Sequence, residues 1–564
     1  MKYPYEKFEE EVKEAIKEAL RVAYGIEEEV KLEKPKEIAD LAFPCFPLSK
    51  ILKRNPVEIA EEIAREIRQR QRMWIERVEA VKGYVNFFID AHRLAKETIR
   101  LVEEMEDDYG KQPKKNVKVI VEHTSANPNG PLHVGRARNP IIGDTIARLL
   151  KFGGYDVVTQ YYVDDMGKQV AILFWGVKNL KIEAKHDKDD HKYVVYYQEA
   201  AKLMEENEEV RKEIEKIIKE CERGNKRILA ELKDIYTRVL NGISQSLEML
   251  NIRIDEFVEE SRFVLDGSVE KVIQELQKLP YAGKEGKAIY LNLEEFGIHG
   301  RDKKFYITRS DGTSLYATRD VAYHIWKGEQ ADKMINVLGE DHKLEAKFVE
   351  IALKLLNKKT PEVIFYSFVS LPEGRMSTRK GRVVYLDDLM EEAIERAKRE
   401  VIKRRGELPN IDYIARNIGT GAIRYNIIKV RAEKPIIFKW EEALNFEGQS
   451  APFIQYAHAR CCSILRKARY EGCEQPEYEH ESEIALIKML AAFPEIVKES
   501  VKARNPSAIA EYVYELASTF NAFYRDCRVI GSEKEKERLA LVNATRQVIR
   551  NCLTILGIEA LEEM

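Results

Sequence analysis

Near the amino terminus, apolar residues recur at helical spacing: Phe8, Val12, Ala15, Ile16 and Leu20 share one face and predict an amphipathic helix. DLAFPCFPLSK is interrupted by proline and is expected to be extended. Asn55-Pro56 puts a capping residue before a proline suited to the first helical position. Val81 to Ile89, VKGYVNFFI, reads as a strand-like run in a small sheet core. These elements make residues 1–110 an α+β module, and KQPKKN, residues 111–116, reads as a linker.

The pattern changes at Val117. VKVIV alternates β-branched residues as a buried strand does, and a turn-rich stretch then leads to Pro131-Leu132-His133-Val134-Gly135-Arg136. Ile141, Ile142, Thr145, Ile146, Leu149 and Leu150 follow at helical spacing, Gly153-Gly154 closes that helix, and Val157 to Tyr162 reads as a second strand. A strand–helix–strand unit of this kind makes a parallel sheet whose ligands gather at the carboxyl ends of its strands.

Residues 171–262 read as an insertion of long charged helices into that fold, with EAKHDKDDHK, ahead of the helical run that begins YYQEAAK, as a solvated loop. From about 262 the α/β pattern resumes. AIYLNL and KKFYITRS read as strands, DGTSLYATRDVAYHIWK as a turn into a helix, and KMINVLGEDHK as a strand ending at Gly339-Glu340-Asp341-His342. VIFYSFVSL is another strand, delivering the chain to a basic stretch at Arg375. Beyond Val383 the periodicity is helical, and in ALVNATRQVIRNCLTILGI the residues Val542, Ile549, Leu553 and Leu556 form one stripe with Leu541, Val548, Cys552 and Ile555 beside it. The expected units are 1–110, 111–385 with its insertion at 171–262, and an all-α region at 386–564.

A chain of 564 residues is too long for one core and implies about three or four domains. Charged residues make up 34%, above the usual quarter or so, which suits long solvated helices. The net charge of −3 excludes wholesale coating of nucleic acid but permits a local basic face. Seven cysteines with no C-x-x-C argue for a reducing compartment and against a zinc site. With a charged amphipathic start and no long apolar run, the expectation is a cytoplasmic protein with no membrane partner.

His133, Gly135 and Arg136 fall at the start of a helix, where free N–H groups and the helix dipole favour an anion. Alone, this is most simply a polar loop. The second cluster, Arg375-Met376-Ser377-Thr378-Arg379-Lys380-Gly381, gathers cations and hydroxyls beside a glycine, as a loop holding a polyphosphate would. Together the two resemble the paired motifs of class I aminoacyl-tRNA synthetases. EHTSANPNGPLHVGRARNPIIGD, YYVDDMGKQ, DGTSLYATRD, RMSTRKG and GQSAPFIQYAHAR are similar to the arginyl-tRNA synthetases of the archaeal type.

The resemblance implies a Rossmann-like catalytic domain with a helical insertion, an N-terminal α+β domain that touches tRNA, and a C-terminal anticodon-binding bundle. It implies ligation of L-arginine to its tRNA through an arginyl-adenylate, with transfer to the 2′-hydroxyl of the terminal adenosine. ATP with Mg2+ is the implied nucleotide, without protein-bound zinc, in a chain expected to be monomeric. His133, Arg136, Ser377 and Lys380 take the catalytic roles, and His133, Gly135, Arg136, Gly339, Asp341, Met376 and Lys380 hold ATP. Arg136 stands where the family usually has a second histidine, and Arg375 where it has a first lysine. Thr378 does not match the second lysine, whose role passes to Lys380.

A guanidinium presents five donors in a planar fork and calls for carboxylate or amide acceptors around it. Glu122, Tyr316 and Asp320 supply such groups, and Ser125 and Asn127 suit the α-amino end; by resemblance these positions, with His342, match the arginine pocket. The resemblance further implies tRNA contacts at Asn86, Tyr456, Phe520, Tyr524 and Met564. A tRNA-binding paralogue without activation chemistry would have no need of His133, Gly135, Ser377 and Lys380. A small-molecule ligase would have no use for the long helical region at the C-terminus.

Overall fold

The computed structural model describes residues 2–35, 39–370 and 384–564. Helix α1 (Pro4–Tyr24) buries the predicted face of Phe8, Val12, Ala15, Ile16 and Leu20. DLAFPCFPLSK is only half extended. It forms β1 (Leu41–Pro44) and then α2 (Phe46–Leu52), whose proline sits in the first turn, where a missing N–H breaks no helical bond. Helix α3 (Pro56–Arg68) starts where expected, the Asn55 side chain accepting the Val57 N–H at 2.9 Å. VKGYVNFFI is not one run either. Lys82 and Gly83, with φ of 50° and 84°, turn the chain between β2 (Ile75–Val81) and β3 (Tyr84–Ile89), giving an antiparallel sheet in the order β1-β3-β2.

Helix α4 (Ala91–Met105) leads to β4 (Lys118–Glu122), α5 (Arg138–Phe152) and β5 (Asp156–Val163), the unit read from the sequence. The insertion follows as α6 (Lys168–Asn179), α7 (Asp189–Glu206), α8 (Glu208–Glu222) and α9 (Lys226–Met249), packed on one another. The sheet resumes earlier than 262. The short, charged and largely exposed β6 (Glu256–Glu259) already pairs with β5, and a strand of that composition gives no apolar signal.

Helices α10 (Ser261–Leu265) and α11 (Ser268–Leu276) precede β7 (Ala282–Glu285), β8 (Ala288–Asn292) and β9 (Lys304–Tyr306). AIYLNL and KKFYITRS are therefore strands, but of a separate antiparallel sheet in the order β7-β8-β9. Then come α12 (Tyr316–Gln330), β10 (Lys333–Gly339), α13 (Lys343–Leu355), β11 (Glu362–Tyr366) and β12 (Val369–Ser370). The five-stranded parallel sheet runs β11-β10-β4-β5-β6. Chain order reverses between β4 and β10, the switch point where a parallel sheet of this kind puts its ligand crevice, at the carboxyl ends of both strands.

The C-terminal region is helical: α14 (Leu386–Arg405), α15 (Ile411–Ile428), the short α16 (Trp440–Ala443), α17 (Ala451–Lys467), α18 (Glu481–Ala503), α19 (Ser507–Asp526) and α20 (Glu535–Leu556). Both stripes read on α20 are buried. One exception to the all-α expectation is β13 (Ile436–Ile437), which pairs in parallel with β12. The seven cysteines are free thiols, and among the described residues no helix is long and apolar enough to cross a membrane.

Candidate active site and tRNA-facing surface

At the end of β4 the chain passes through Thr124 and Ser125, two non-glycine residues with φ of 70° and 38°. Such backbone costs energy and persists only where its surroundings hold it. Here the Asn139 side chain accepts the Thr124 N–H at 2.6 Å and donates to the Val337 carbonyl at 3.0 Å, tying the loop to α5 and β10. Ser125 Oγ accepts the Tyr162 N–H at 3.0 Å and donates to Glu122 Oε1 at 3.3 Å. Asn127 is partly exposed on the same loop.

His133 caps the turn before α5, its Nδ1 accepting the Gly135 N–H at 3.1 Å. Burial, and secondarily the Arg136 charge, push the His133 pKa below its ordinary value. The ring is therefore neutral near pH 7, and with Nδ1 occupied as an acceptor its proton lies on Nε2, a donor for an oxyanion. Arg136 is exposed and reaches toward Asp341, 3.9 Å away across the crevice. Gly339 ends β10, where a Cβ would collide with the Asp341 carboxylate.

Met376, Ser377 and Lys380, with Arg375 and Arg379, lie outside the described residues. Their neighbours on each side do not. β12 touches the Val134–Arg136 turn, and past the segment Val384 accepts the Val134 N–H at 3.1 Å while Leu386 donates to the Leu132 carbonyl at 2.8 Å. His133 and Tyr385 form an isolated antiparallel bridge. Both flanks of the basic stretch thus converge on the His133 turn.

Glu122 and Asp320 stand over a buried polar network. Glu122 is nearly inaccessible and takes the Lys327 ammonium at 2.6 Å, while Asp320 keeps 26% of its side chain exposed. Tyr316, one turn before Asp320, is exposed. His342 lies 3.2 Å from Glu345, whose hydrogen bond raises the His342 pKa against partial burial. The sequence reading missed Lys327, His324 and Asn336. Asp320, His324 and Lys327 do fall at helical spacing on one face, which was the available signal.

EAKHDKDDHK is not simply a solvated loop. Asp190 is fully buried, and Lys188 Nζ sits 3.0 Å from it and 2.6 Å from Asp387 at the start of α14. Asp387 also takes the His191 ring at 2.8 Å and the Ser246 hydroxyl, which donates to it at 2.7 Å. Asp190, His191 and Asp387 could together ligate a metal, yet the Lys188 ammonium already supplies the positive charge there.

Two tRNA-contact expectations need correction. Phe520 is fully buried against Phe523 and Tyr524, so it cannot offer a face to a base. Asn86 is buried in the centre of its sheet between Ala42 and Glu79, because its strand is covered on both sides. Tyr456 and Tyr524 are exposed, with the Arg460 guanidinium between their rings at 4.8 and 5.1 Å. They line a cavity of about 730 Å³ with Arg405, Arg466 and Arg528, and the buried Met564 forms part of its wall. Aromatic faces among cations suit unstacked bases on a phosphate backbone.

Three family models match the chain: the N-terminal domain of arginyl tRNA synthetase over residues 6–89, the catalytic domain of class I (R) tRNA synthetases over 98–440, and the DALR anticodon binding domain over 454–564. The chain is 47% identical over 547 residues to an arginine–tRNA ligase of Methanothermobacter thermautotrophicus, covering 95% of each. It is 44% identical to that of Methanocaldococcus jannaschii, covering 94% of this chain and 95% of the other. Arginyl-tRNA synthetase of Thermus thermophilus superposes with a TM-score of 0.80 at 30% identity, over 98% of this chain and 99% of that one. A parallel sheet that reverses between β4 and β10, a histidine-capped turn after β4 and agreement along nearly the whole length have one reading: the chain belongs to the class I (R) tRNA synthetase family.

Proposed function

We propose that the chain joins L-arginine to its cognate tRNA at the expense of ATP. In the first step the arginine carboxylate attacks the α-phosphorus, the bond to the β-phosphate oxygen breaks, and arginyl-adenylate and pyrophosphate form. In the second the 2′-hydroxyl of the terminal adenosine attacks the arginyl carbonyl, and AMP leaves with the bonding electrons. Neither step requires a covalent bond to the protein. The work is alignment and neutralisation of charge as it spreads over phosphate oxygens.

His133 Nε2–H and Arg136 are the donors on one side of the nucleotide, and Ser377 and Lys380 are assigned the other. Mg2+ enters with ATP and screens its phosphates. Glu122 and Asp320 take the guanidinium, Tyr316 packs along the side chain, and Ser125 and Asn127 orient the α-amino end. Tyr456, Tyr524 and Arg460 receive the anticodon.

The observation that carries this reading is the meeting of Leu132–Val134 with Val384–Leu386, which flanks both phosphate motifs, beside two acids on the neighbouring strand and helix. Aminoacylation screened over all amino acids tests it. Charging with arginine alone is expected, and charging with any other amino acid overturns the assignment.

A further inference from the structure

Each of the two pocket acids has a buried basic group behind it. Lys327 Nζ lies 2.6 Å from Glu122 Oε2, and His324 Nδ1 lies 3.0 Å from Asp320 Oδ1. Asn336, the register partner of Glu122 on β10, joins the two: its Oδ1 is 2.8 Å from Lys327 Nζ and its Nδ2 is 2.6 Å from His324 Nε2. Lys327, His324 and Asn336 are all buried.

The hydrogen bonds in this chain can run only one way. An ammonium donates and never accepts, so the Asn336 oxygen must face Lys327. The Asn336 amide nitrogen must then donate to His324 Nε2. A ring nitrogen that accepts carries no proton, which leaves the His324 proton on Nδ1, shared between Asp320 Oδ1 and the Asp320 carbonyl at 2.8 Å. His324 is therefore neutral, and two carboxylates against one ammonium leave the pocket a single net negative charge.

On the reading that Glu122 and Asp320 form the arginine pocket, we propose that Lys327, Asn336 and His324 are positioning residues that set its charge to match one guanidinium. Lys327 cancels one carboxylate, and the third face of its ammonium is covered by the Tyr323 ring at 4.4 Å. Asn336 keeps His324 from becoming a second cation, so Asp320 stays available to the substrate. A neutral isostere of arginine would leave that carboxylate unpaired in a half-buried site, which gives discrimination by charge as well as by shape.

Other titratable groups surround the chain. Tyr323 flanks His324 on α12, its hydroxyl held by Gln160 on β5, and His342 and Glu345 face Asp320 from the start of α13. Their titration enters the wild type and its variants alike. The measurement is therefore a difference between the two.

Nitrogen-15 spectra of histidine-labelled wild-type protein, assigned by the signal lost in His324→Gln, report the ring directly. A neutral ring protonated on Nδ1 is expected; an imidazolium, or a proton on Nε2, overturns the relay. Asn336→Asp replaces the amide donor with a carboxylate and so draws a proton onto Nε2; the added charges cancel, but the imidazolium then ties up Asp320 in an ion pair and withholds it from the substrate. The KM for arginine in aminoacylation should then rise about tenfold at pH 6 relative to pH 8, beyond any change in the wild type, with the KM for ATP unmoved. Parallel profiles for variant and wild type overturn the proposal. Asp320→Asn separates the two readings: an unchanged KM for arginine removes the pocket and the relay with it, whereas a raised KM together with an imidazolium at His324 removes the relay alone.

Discussion

Val134 donates its backbone N–H to the carbonyl of Val384 at 3.1 Å, joining the turn that carries His133 to the residue where the chain emerges from its basic stretch. Backbone bonds between distant segments fix position without regard to side-chain identity. The described residues that follow the basic stretch are held beside the His133 turn by ordinary strand-like pairing, and Leu386 and Leu132 repeat the contact on the other side of the His133–Tyr385 bridge.

The His133 ring supplies a neutral donor, so removing it should slow the chemical step. His133→Ala is expected to lower the single-turnover rate of adenylate formation by about 10²- to 10³-fold, the scale of one lost transition-state donor. Affinity for tRNA measured by filter binding should be unchanged. A full-speed variant would show that the imidazole only caps the turn.

Arg424 is fully buried between three parts of the chain. It bonds Asp144 at 2.6 Å, the Leu556 carbonyl at 2.8 Å and the Leu250 carbonyl at 2.8 Å, so α5, α9 and α20 all depend on it. Arg424→Met should cost about 3–5 kcal/mol, because the Asp144 charge loses that buried partner. Denaturant unfolding measures this, and a loss below about 1 kcal/mol would contradict it.

Tyr456 and Phe520 belong to the same bundle and predict opposite phenotypes. Tyr456→Ala should raise the KM for tRNA about tenfold, consistent with the loss of one stacked base, while leaving the KM for arginine alone. Phe520→Ala should cost about 3–5 kcal/mol of stability with little specific effect on tRNA. Aminoacylation kinetics and thermal unfolding on both variants separate the roles.

Burial pushes the pKa of His123 and of His458 down to about 4. His458 donates from Nδ1 to the Leu561 carbonyl at 2.8 Å, and His123 Nε2 is buried without a hydrogen-bond partner. The unfolded chain takes up these protons near pH 6.5 and the folded chain near pH 4. Stability is therefore complete above about pH 6.5 and falls between there and about pH 4, by about 3 kcal/mol for each ring. Denaturant midpoints at pH 7 and pH 5 should show the loss, and His458→Gln should reduce it by about half.

The sequence by itself determined the local elements whose periodicity is strong: α1, the β4–α5–β5 unit and the buried stripes of α20. It also marked the His133 turn and the Asp320 helix, because motif residues cluster where strands end and helices begin. Only the tertiary structure decided which strands share a sheet, since β8 and β9 have strand composition whether they pair in parallel or antiparallel. It hid Phe520 and Asn86, whose residue types say nothing about what covers them. It also buried Asp190 in what reads as a solvated charge run, because a charged residue enters a core only when an opposite charge goes with it, as Lys188 does for Asp190 and Lys327 for Glu122. The buried relay behind the pocket follows the same rule: the protonation of His324 depends on Asn336 and Lys327, and pairing across β4 and β10 is what brings Asn336 and Glu122 side by side.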